Sequence, residues 1–314
     1  MEERFYRTYS HFLKEKYGEK VYKLPVNLPG TCPNRKNGTG CTFCSEKGTG
    51  FEAMKACVSV TKQLEETKEY ITRRYHAKKY IAYFQNYTNT YFPFDVFCSY
   101  VEEACKVKDI VEISISTRPD CINSRYLAFL NEIMEKTGIA ITIELGLQTV
   151  NYHTLQKINR GHGLAEYIDA VMKIKKYPFD ICTHVILNLP WDDVSDVKET
   201  AKILSVLGTD IVKIHSLYIA KGTKMADQYK NGDFRICSVD EYLDRLILFL
   251  QYLRPDIVIE RMFSRIPEED ALFSNWNTSW WKLKDMVLER MEEKQVIQGD
   301  HCDYMDGCAL RLLN

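Results

Sequence analysis

The sequence has no long apolar run and no excess of either charge. No stretch approaches the roughly 18 consecutive apolar residues that a membrane-spanning helix needs. The first twenty residues, MEERFYRTYSHFLKEKYGEK, are charged throughout and lack the apolar centre of a secretory signal. The formal net charge is −1, so the chain as a whole has no electrostatic attraction to nucleic acid. We therefore expect a cytoplasmic protein without a membrane segment.

Internal repeats, low-complexity segments and obvious linkers are also absent. A chain of 314 residues suits one large domain with a small appendage, and 45% hydrophobic residues are enough for a sizeable core. The eleven cysteines do not indicate a disulfide framework, because their number is odd and the cytoplasm keeps thiols reduced. Most of them are interpreted as small buried side chains.

Six β-rich runs recur along the chain, and each is followed by a segment with apolar residues at helical spacing. The runs are Lys20–Leu28, Lys79–Gln85, Ile110–Thr117, Ala140–Leu147, Ile181–Pro190 and Ile211–Ala220. Strands that alternate with helices predict a parallel α/β fold. Because six units are fewer than the eight of a closed barrel, we predict a partial (β/α)6 TIM-like barrel, open on one side, rather than a doubly wound sheet.

The pattern predicts three segments along the chain. Residues 1–19 form an N-terminal helical segment, residues 20–255 form the barrel, and residues 256–314 form a C-terminal extension. The extension contains an edge strand at Asp256–Met262, a tryptophan-rich helix, and a tail that carries Cys302 and Cys308.

Polar residues share one face of two successive predicted strands. The third strand places Glu112, Ser114 and Ser116 on one face, and the fourth places Thr142, Glu144 and Gln148 on one face. A strand that is covered by apolar layers on both faces is nearly all apolar, so these faces predict a wet or ligand-filled interior. Chemistry in such barrels gathers at the carboxyl ends of the strands, and two polar loops begin there: the cysteine loop and QNYTNTY (Gln85–Tyr91).

Three cysteines lie in a glycine-rich polar loop, GTCPNRKNGTGCTFCSEKGTG (Gly30–Gly50), with the spacing C-x8-C-x2-C. A structural zinc site normally takes four ligands, so zinc needs Cys57 or a histidine in addition. Unrelated free thiols are a second alternative. The third is an iron–sulfur cluster, for which thiolates are the natural ligands, and three ligands for a four-iron cluster leave one iron open to a small molecule.

The chain resembles radical S-adenosylmethionine (SAM) enzymes, in particular the YhcC-like branch that is related to Elp3, the catalytic subunit of Elongator. The resemblance extends from about Tyr17 to Gly299, and its motifs are CPNRKNGTGCTFC, YIAYFQNYTNTY, STRPDCI, IELGLQT, INRGH, THVILNLPW and KIHSLYIAKGT. The commonest spacing in radical SAM enzymes is C-x3-C-x2-C, and the longer first gap here is that of the YhcC-like branch. The resemblance implies a [4Fe–4S] cluster on Cys32, Cys41 and Cys44 that cleaves SAM reductively to a 5′-deoxyadenosyl radical.

The resemblance also implies residues that contact SAM. By similarity to the oxygen-independent coproporphyrinogen oxidases, Gln148 binds SAM and Arg160 pairs with its carboxylate. Gln85 stands where related enzymes carry a GGE-like turn for the SAM amino group. Ser116 occupies the place of an acidic ribose ligand, and the remaining predicted SAM contacts are Phe43, Glu144 and His184. For Glu144 the alternative is a buried ion pair with Arg118 or Lys213.

The substrate is predicted less directly. Tyr87, Lys213, His215 and Lys221 are candidates to contact it, and Cys302 and Cys308 are candidates for a catalytic thiol, with an inert tail as the alternative. Kinship with Elp3 suggests modification of the 5-position side chain of a tRNA wobble uridine; a small metabolite and a peptide are rival substrates. The predicted partners are SAM, a reductant such as flavodoxin or ferredoxin, and tRNA. A different class of function, a zinc- or iron-binding module that binds tRNA or a protein without catalysis, is retained as the alternative.

Overall fold

The structure is a computed structural model that describes residues 2–36, 38–45 and 53–313, with side chains described to residue 311. The predicted glycine-rich loop continues in sequence to Gly50, so its residues 46–50 lie outside the described part. Among the described residues, no helix is both long and apolar enough to cross a lipid bilayer.

Seven parallel strands form one sheet, in the order β1-β2-β3-β4-β5-β6-β8, which curls into a half-barrel open on one side. The strands are β1 (Val21–Val26), β2 (Lys79–Phe84), β3 (Ile110–Thr117), β4 (Ala140–Gln148), β5 (Asp180–Ile186), β6 (Ile211–His215), β7 (Ile219–Ala220), β8 (Val258–Arg261) and β9 (Ala271–Phe273). Strands β7 and β9 pair antiparallel in a separate small sheet. The predicted open barrel is confirmed, and the predicted edge strand is β8.

Helices follow most of the strands and cover the outer face of the sheet. They are α1 (Tyr9–Tyr17), α2 (Pro33–Lys36), α3 (Val60–Tyr75), α4 (Phe94–Cys105), α5 (Ser124–Thr137), α6 (Tyr152–Lys157), α7 (Leu164–Ile174), α8 (Val194–Leu207), α9 (Lys224–Lys230), α10 (Val239–Tyr252) and α11 (Trp280–Lys294). Local sequence sets their ends: Ser238 and Glu241 form a capping box at α10, and Gly208 ends α8 in the left-handed conformation.

The hydrophobic core lies between the outer face of the sheet and these helices. Alternate strand residues such as Ile113, Ile143 and Val212 are fully buried there. The other set of alternate residues faces the interior of the half-barrel and is rich in polar and charged side chains, as the strand patterns predict.

Helix α1 closes the amino end of the half-barrel. Leu13 packs with Val21 and Ile81 of the first two strands. The Lys16 ammonium donates to Glu112 at 3.1 Å and to Asp180 at 2.5 Å. The interior is therefore sealed at one end and accessible from the carboxyl ends of the strands.

Strand β8 extends the same sheet that the predicted barrel segment forms, because it pairs with β6. The predicted segment boundary at residue 255 therefore places β8 in a different segment from the other six strands of its sheet. The three-segment division stays a prediction.

Candidate active site

A cavity of about 1300 Å³ opens at the carboxyl ends of the strands. The predicted site residues that line it are Cys32, Cys41, Phe43, Cys44, Gln85, Tyr87, Ser116, Glu144, Gln148, Arg160, His184, His215 and Lys221. The fold thus brings the cysteine loop, which follows β1, to the same space as residues of β2 to β6.

The cysteine loop is held by the short segment that follows α6. The Thr42 amide donates to the Ile158 carbonyl at 3.0 Å, and the Asn159 side chain donates to the Gly40 carbonyl at 2.6 Å. Gly40 has a φ of 77°, and a Cβ there would lie 2.9 Å from the Arg35 side chain. The loop therefore needs glycine at position 40. This requirement accounts for one of the several glycines in the loop.

Two guanidinium groups approach the sulfur atoms. Nη1 of Arg118 lies 3.8 Å from the Cys32 sulfur, and Nη1 of Arg160 lies 3.5 Å from the Cys41 sulfur. Burial raises the pKa of the Cys44 thiol, and the charge of Cys41 adds to this. Positive charges thus lie beside two of the three sulfur atoms that are predicted to bind metal.

The donor set fits an iron–sulfur cluster with one open iron. Among the described residues, no fourth cysteine lines the cavity, and Cys57 is exposed in a different part of the loop region. A closed structural zinc site would need four ligands. Three thiols beside a large cavity instead suit a metal group that has a free coordination position for a second molecule.

Arg160 has a buried donor atom without a partner. Its Nη2 donates to the Gly146 carbonyl at 2.7 Å, while its Nε has no hydrogen-bond partner among the described residues. A Cβ at position 146 would lie 2.5 Å from Arg160 Nη2, so the glycine leaves room for the guanidinium. This free donor fits the carboxylate that the resemblance implies for Arg160.

The segment after β2 also offers unused polar atoms. Asn86 Oδ1 and Thr88 Oγ1 are buried without hydrogen-bond partners among the described residues. Tyr87 has a φ of 57° and turns the chain there, and the Arg35 guanidinium lies 5.6 Å from its ring centre. Thr88 lines the cavity with Gln85, and both belong to the segment that the resemblance places at the SAM amino group. Oxygen acceptors at this position suit an ammonium group.

Glu144 accepts hydrogen bonds from every side of the interior. Its donors are Lys23 at 2.7 Å, Ser114 at 2.7 Å, His184 at 2.7 Å, Tyr83 at 3.0 Å, Lys213 at 3.0 Å and Ser116 at 3.3 Å. Both carboxylate oxygens are thus occupied by the protein itself. The geometry makes Glu144 the centre of a polar network that joins β1 to β6.

A second carboxylate balances the charges of this network. Glu260 of β8 binds Lys23 at 2.8 Å and Lys213 at 2.9 Å. Burial opposes ionisation of Glu144, but Lys213 and Lys23 outweigh it and hold the pKa of Glu144 well below its usual range. The pairing with Lys213 is thus present, whereas the alternative partner Arg118 binds Asp120 instead, at 2.7 and 2.9 Å.

The two histidines of the floor form one directed chain of hydrogen bonds. Arg261 Nη2 lies 3.0 Å from His215 Nδ1, His215 Nε2 lies 3.2 Å from His184 Nδ1, and His184 Nε2 lies 2.7 Å from Glu144. Since a guanidinium only donates, His215 accepts at Nδ1 and donates at Nε2, and His184 then donates to the carboxylate. Burial lowers the pKa of both imidazoles, so both are neutral.

The structure places two sets of predicted reactive residues outside the cavity lining. Lys213 does not line the cavity; its ammonium is buried beneath the floor against Glu144 and Glu260. Cys302 and Cys308 do not line it either. His301, beside Cys302, donates its amide to Gln251 near the end of α10, where the chain turns back towards the amino end of β8. Neither thiol therefore lines the cavity that contains the predicted SAM contacts.

Sequence reasoning missed three charged residues of the interior. They are Lys23, Glu260 and Arg261. The signal for Lys23 and Glu260 was the same alternation of polar and apolar residues that identified β3 and β4. Arg118 lay within the motif STRPDCI, but nothing local indicated that it approaches Cys32.

Comparisons with known proteins agree on one superfamily. The family model described as Radical SAM superfamily matches residues 26–204, and the Radical_SAM C-terminal domain matches residues 209–293. YtqA of Bacillus subtilis (strain 168) is 35% identical over 301 residues, which are 95% of this chain and 92% of YtqA. YhcC of Escherichia coli (strain K12) is 32% identical over 292 residues, which are 91% of this chain and 92% of YhcC.

More distant similarities extend to enzymes of tRNA. The tRNA uridine(34) acetyltransferase of Methanocaldococcus jannaschii is 26% identical over 206 residues, which are 63% of this chain and 37% of that enzyme. The structure of Methanocaldococcus infernus Elp3 with an N-terminal deletion superposes with a TM-score of 0.66 at 19% identity. That superposition covers 88% of this chain and 64% of the Elp3 chain, and it shows a shared fold.

Proposed function

Because the chain belongs to the radical SAM superfamily, whose members bind a [4Fe–4S] cluster and SAM, we propose that Cys32, Cys41 and Cys44 hold the cluster and that SAM and a substrate share the cavity beside them. The observation that carries this proposal is the opening of all three thiols on one cavity of about 1300 Å³. When bound, the reduced cluster supplies the electron that cleaves SAM to a 5′-deoxyadenosyl radical. The protein's own residues bind, orient and shield the reactants.

Arg160 is proposed to bind the SAM carboxylate through its free Nε, with Gln148 beside it at the end of β4. Gln85 and Thr88 supply oxygen atoms for the SAM amino group, and Ser116 faces the ribose. Phe43 packs against a group of apolar side chains that contains Leu155. Its ring therefore shields one side of the cysteine loop. Glu144 and His184 act as positioning residues, because their polar atoms are already engaged with the protein.

The proposed substrate is the 5-position side chain of a tRNA wobble uridine. The support is the 26% identity to a tRNA uridine(34) acetyltransferase and the Elp3-like fold. A flavodoxin or ferredoxin is the proposed electron donor. Mass spectrometry of tRNA nucleosides from a deletion strain tests the substrate: loss or gain of one modified uridine supports tRNA, whereas an unchanged nucleoside profile contradicts it and favours a small metabolite or a peptide.

The first experiment tests the chemistry without a substrate. The protein is reconstituted with iron and sulfide under anaerobic conditions, reduced with dithionite, and assayed for 5′-deoxyadenosine after addition of SAM. We expect about four iron atoms per chain and 5′-deoxyadenosine from the unaltered protein, and loss of both in Cys41→Ala. Cys57→Ala is the matched control, because that thiol is exposed and does not line the cavity. Zinc instead of iron, with no SAM cleavage, would establish the alternative of a non-catalytic binding module.

A further inference from the structure

Arg261 is a cation of the cavity wall that has no anionic partner among the described residues. It ends β8, and within the described part of the chain its one hydrogen bond to a side chain is the donation from Nη2 to His215. Its Nε is buried and has no hydrogen-bond partner among the described residues. Glu268 and Glu269 line the same cavity, but no ion pair joins either of them to Arg261.

Three other cations beneath and beside the cavity are matched by carboxylates, and Lys221 donates to the Glu269 carbonyl at 2.8 Å. Lys23 and Lys213 share Glu144 and Glu260, and Arg118 is bound by Asp120 through two hydrogen bonds. A partly buried guanidinium with unused donors is unfavourable, since it has lost water without gaining an acceptor. Arg35 and Arg160 also line the cavity and have a buried Nε without a partner among the described residues. Arg35 donates from Nη2 to the Cys44 carbonyl at 2.8 Å within the cysteine loop, and the proposed function assigns SAM to Arg160.

The position of Arg261 is fixed by the histidine chain. His215 Nδ1 accepts from Arg261 at 3.0 Å, and the chain continues through His184 to Glu144. Because both imidazoles are neutral, they add no positive charge and no anion to this side of the cavity. Arg261 ends β8, whereas Arg160 lies after α6, beyond the end of β4. Arg261 and Arg160 therefore reach the cavity from different elements of the fold.

We propose that Arg261 binds an anionic oxygen group of the substrate, a carboxylate or a phosphate. This inference rests on the proposed function, in which the cavity holds a substrate beside SAM. A guanidinium binds either group through parallel hydrogen bonds, and its Nε is one of the two donors of that geometry. The substrate class is therefore a molecule or residue that carries a carboxylate or a phosphate at a distance from the site of hydrogen abstraction.

Anion binding at Arg261 is measured without any SAM turnover. The reconstituted, oxidised full chain is labelled with ¹⁵N-arginine and titrated with sodium phosphate or with sodium acetate at constant ionic strength. The Nε–H signal of Arg261 is identified by its loss in Arg261→Lys. We expect this signal to shift with at least one of the two anions, whereas the signal of Arg290, which is paired with Asp240 on the surface, does not shift. A response to phosphate identifies a phosphate group, and a response to acetate identifies a carboxylate; no response to either overturns the proposal.

Thermal unfolding separates a binding role from a structural one. Gln in place of Arg261 keeps an N–H donor for His215 but removes the unpaired charge. We expect Arg261→Gln to unfold no lower than the unaltered protein in the absence of phosphate and acetate, and to bind the effective anion about tenfold more weakly. A lower unfolding temperature together with unchanged anion binding would mean that Arg261 is structural, and would overturn the proposal.

The two hypotheses fail in different ways. An unaltered protein that produces no 5′-deoxyadenosine but binds an anion at Arg261 refutes the proposed chemistry and supports the anion site. An unaltered protein that cleaves SAM but shows no anion response at Arg261 refutes this inference and leaves the proposed chemistry standing.

Discussion

At the scale of single residues, the interior of the half-barrel is organised by matched charges. Glu144 and Glu260 each bind both Lys23 and Lys213. If one of these four charged residues is removed, the remaining charges stay buried with fewer partners, which is unfavourable. The four side chains therefore hold one another in place. The floor of the cavity is therefore a rigid polar surface on which SAM and substrate can be oriented.

Glu144→Gln tests this charge balance. The two ammonium groups keep Glu260 as their one carboxylate, so we expect the free energy of unfolding to fall by about 3 kcal/mol. Urea unfolding measures it, with Glu66→Gln as the control because Glu66 forms an exposed pair with Lys62 on α3. The control is expected to change stability by less than about 0.5 kcal/mol. A loss below about 1 kcal/mol for Glu144→Gln would contradict the network.

Asp192 gives a pH-dependent prediction. Burial raises its pKa from 3.8 to about 6. A carboxyl of this kind stabilises the fold when it is protonated, and that contribution is lost as the pH rises through about 6. We expect Asp192→Asn to raise the free energy of unfolding near neutral pH by about 1–2 kcal/mol, and to have no such effect below the unfolded value of 3.8.

The matched control for Asp192 is its neighbour Asp193. That residue is exposed and caps α8, and backbone N–H groups of Asp196 and Ser195 lower its pKa. Asp193→Asn keeps a capping side chain, so no gain in stability is expected near neutral pH. Denaturant unfolding of both variants is measured near neutral pH and below pH 3.8. An equal gain in the free energy of unfolding for Asp192→Asn at the two pH values would rule out titration of Asp192 as the cause.

At the scale of elements, the carboxyl end of β4 organises the site. Gly146 leaves room for the Arg160 guanidinium, and Gln148 ends the strand with a φ of 79°, which turns the chain away from the sheet. The register between β4 and β5 shifts at the same point. One strand end thus positions two of the predicted contacts to SAM, Gln148 and Arg160.

Gly146→Ala tests this strand end. The added Cβ would lie 2.5 Å from Arg160 Nη2, so the guanidinium must move. We expect SAM to bind at least about tenfold more weakly, because a charge-assisted hydrogen bond is lost. Calorimetric titration of the reconstituted protein with SAM measures it.

Gly138→Ala is the control for Gly146→Ala. Gly138 ends α5 with a φ of 71° and has open space around it, so alanine strains the backbone there without touching the site. It is expected to lower stability by about 1 kcal/mol and leave SAM affinity unchanged. Equal SAM affinity in the two variants would show that Gly146 does not act through Arg160.

At the scale of the whole molecule, the two ends of the chain hold one edge of the sheet. The Ile259 amide of β8 donates to the Arg7 carbonyl at 2.8 Å, and Thr8 forms a parallel bridge to Ile259. Gln298 accepts from the Arg7 amide at 3.0 Å and donates to the Arg254 and Ile257 carbonyls. The N-terminal segment and the segment after α11 are therefore parts of the barrel's support.

Gln298→Ala is expected to weaken this edge. The substitution leaves the Arg7 N–H and the Ile257 carbonyl without partners at a buried position and removes one of two donors to the Arg254 carbonyl, so the free energy of unfolding should fall by about 2–3 kcal/mol. Gln156→Ala is the control, since that amide binds Tyr152 on an exposed face of α6. Both are measured by urea unfolding; equal effects would mean that Gln298 does not link the segments.

The fold was predictable because its signals are local. The alternation of strand and helix runs indicated the open barrel, and polar strand faces indicated a hydrophilic interior. Partners across the barrel were not predictable, because they depend on pairing between distant strands: Lys23 and Glu260 lie 237 residues apart. The position of Lys213 was not predictable for the same reason, because its partners Glu144 and Glu260 lie on other strands. The position of Cys302 was not predictable either, because it depends on which end of the sheet the tail reaches.

The contacts of Arg7 and Thr8 have a consequence for the order of events during synthesis. These residues leave the ribosome early, but their partners Ile259 and Gln298 are made about 250 and 290 residues later. Arg7 and Thr8 therefore wait undocked while the strands from β1 to β6 assemble, and closing so long a loop is slow. Helix α1 finds its partners Val21 and Ile81 early, but the outer edge of β8 stays open to water until Arg7 and Thr8 dock on it.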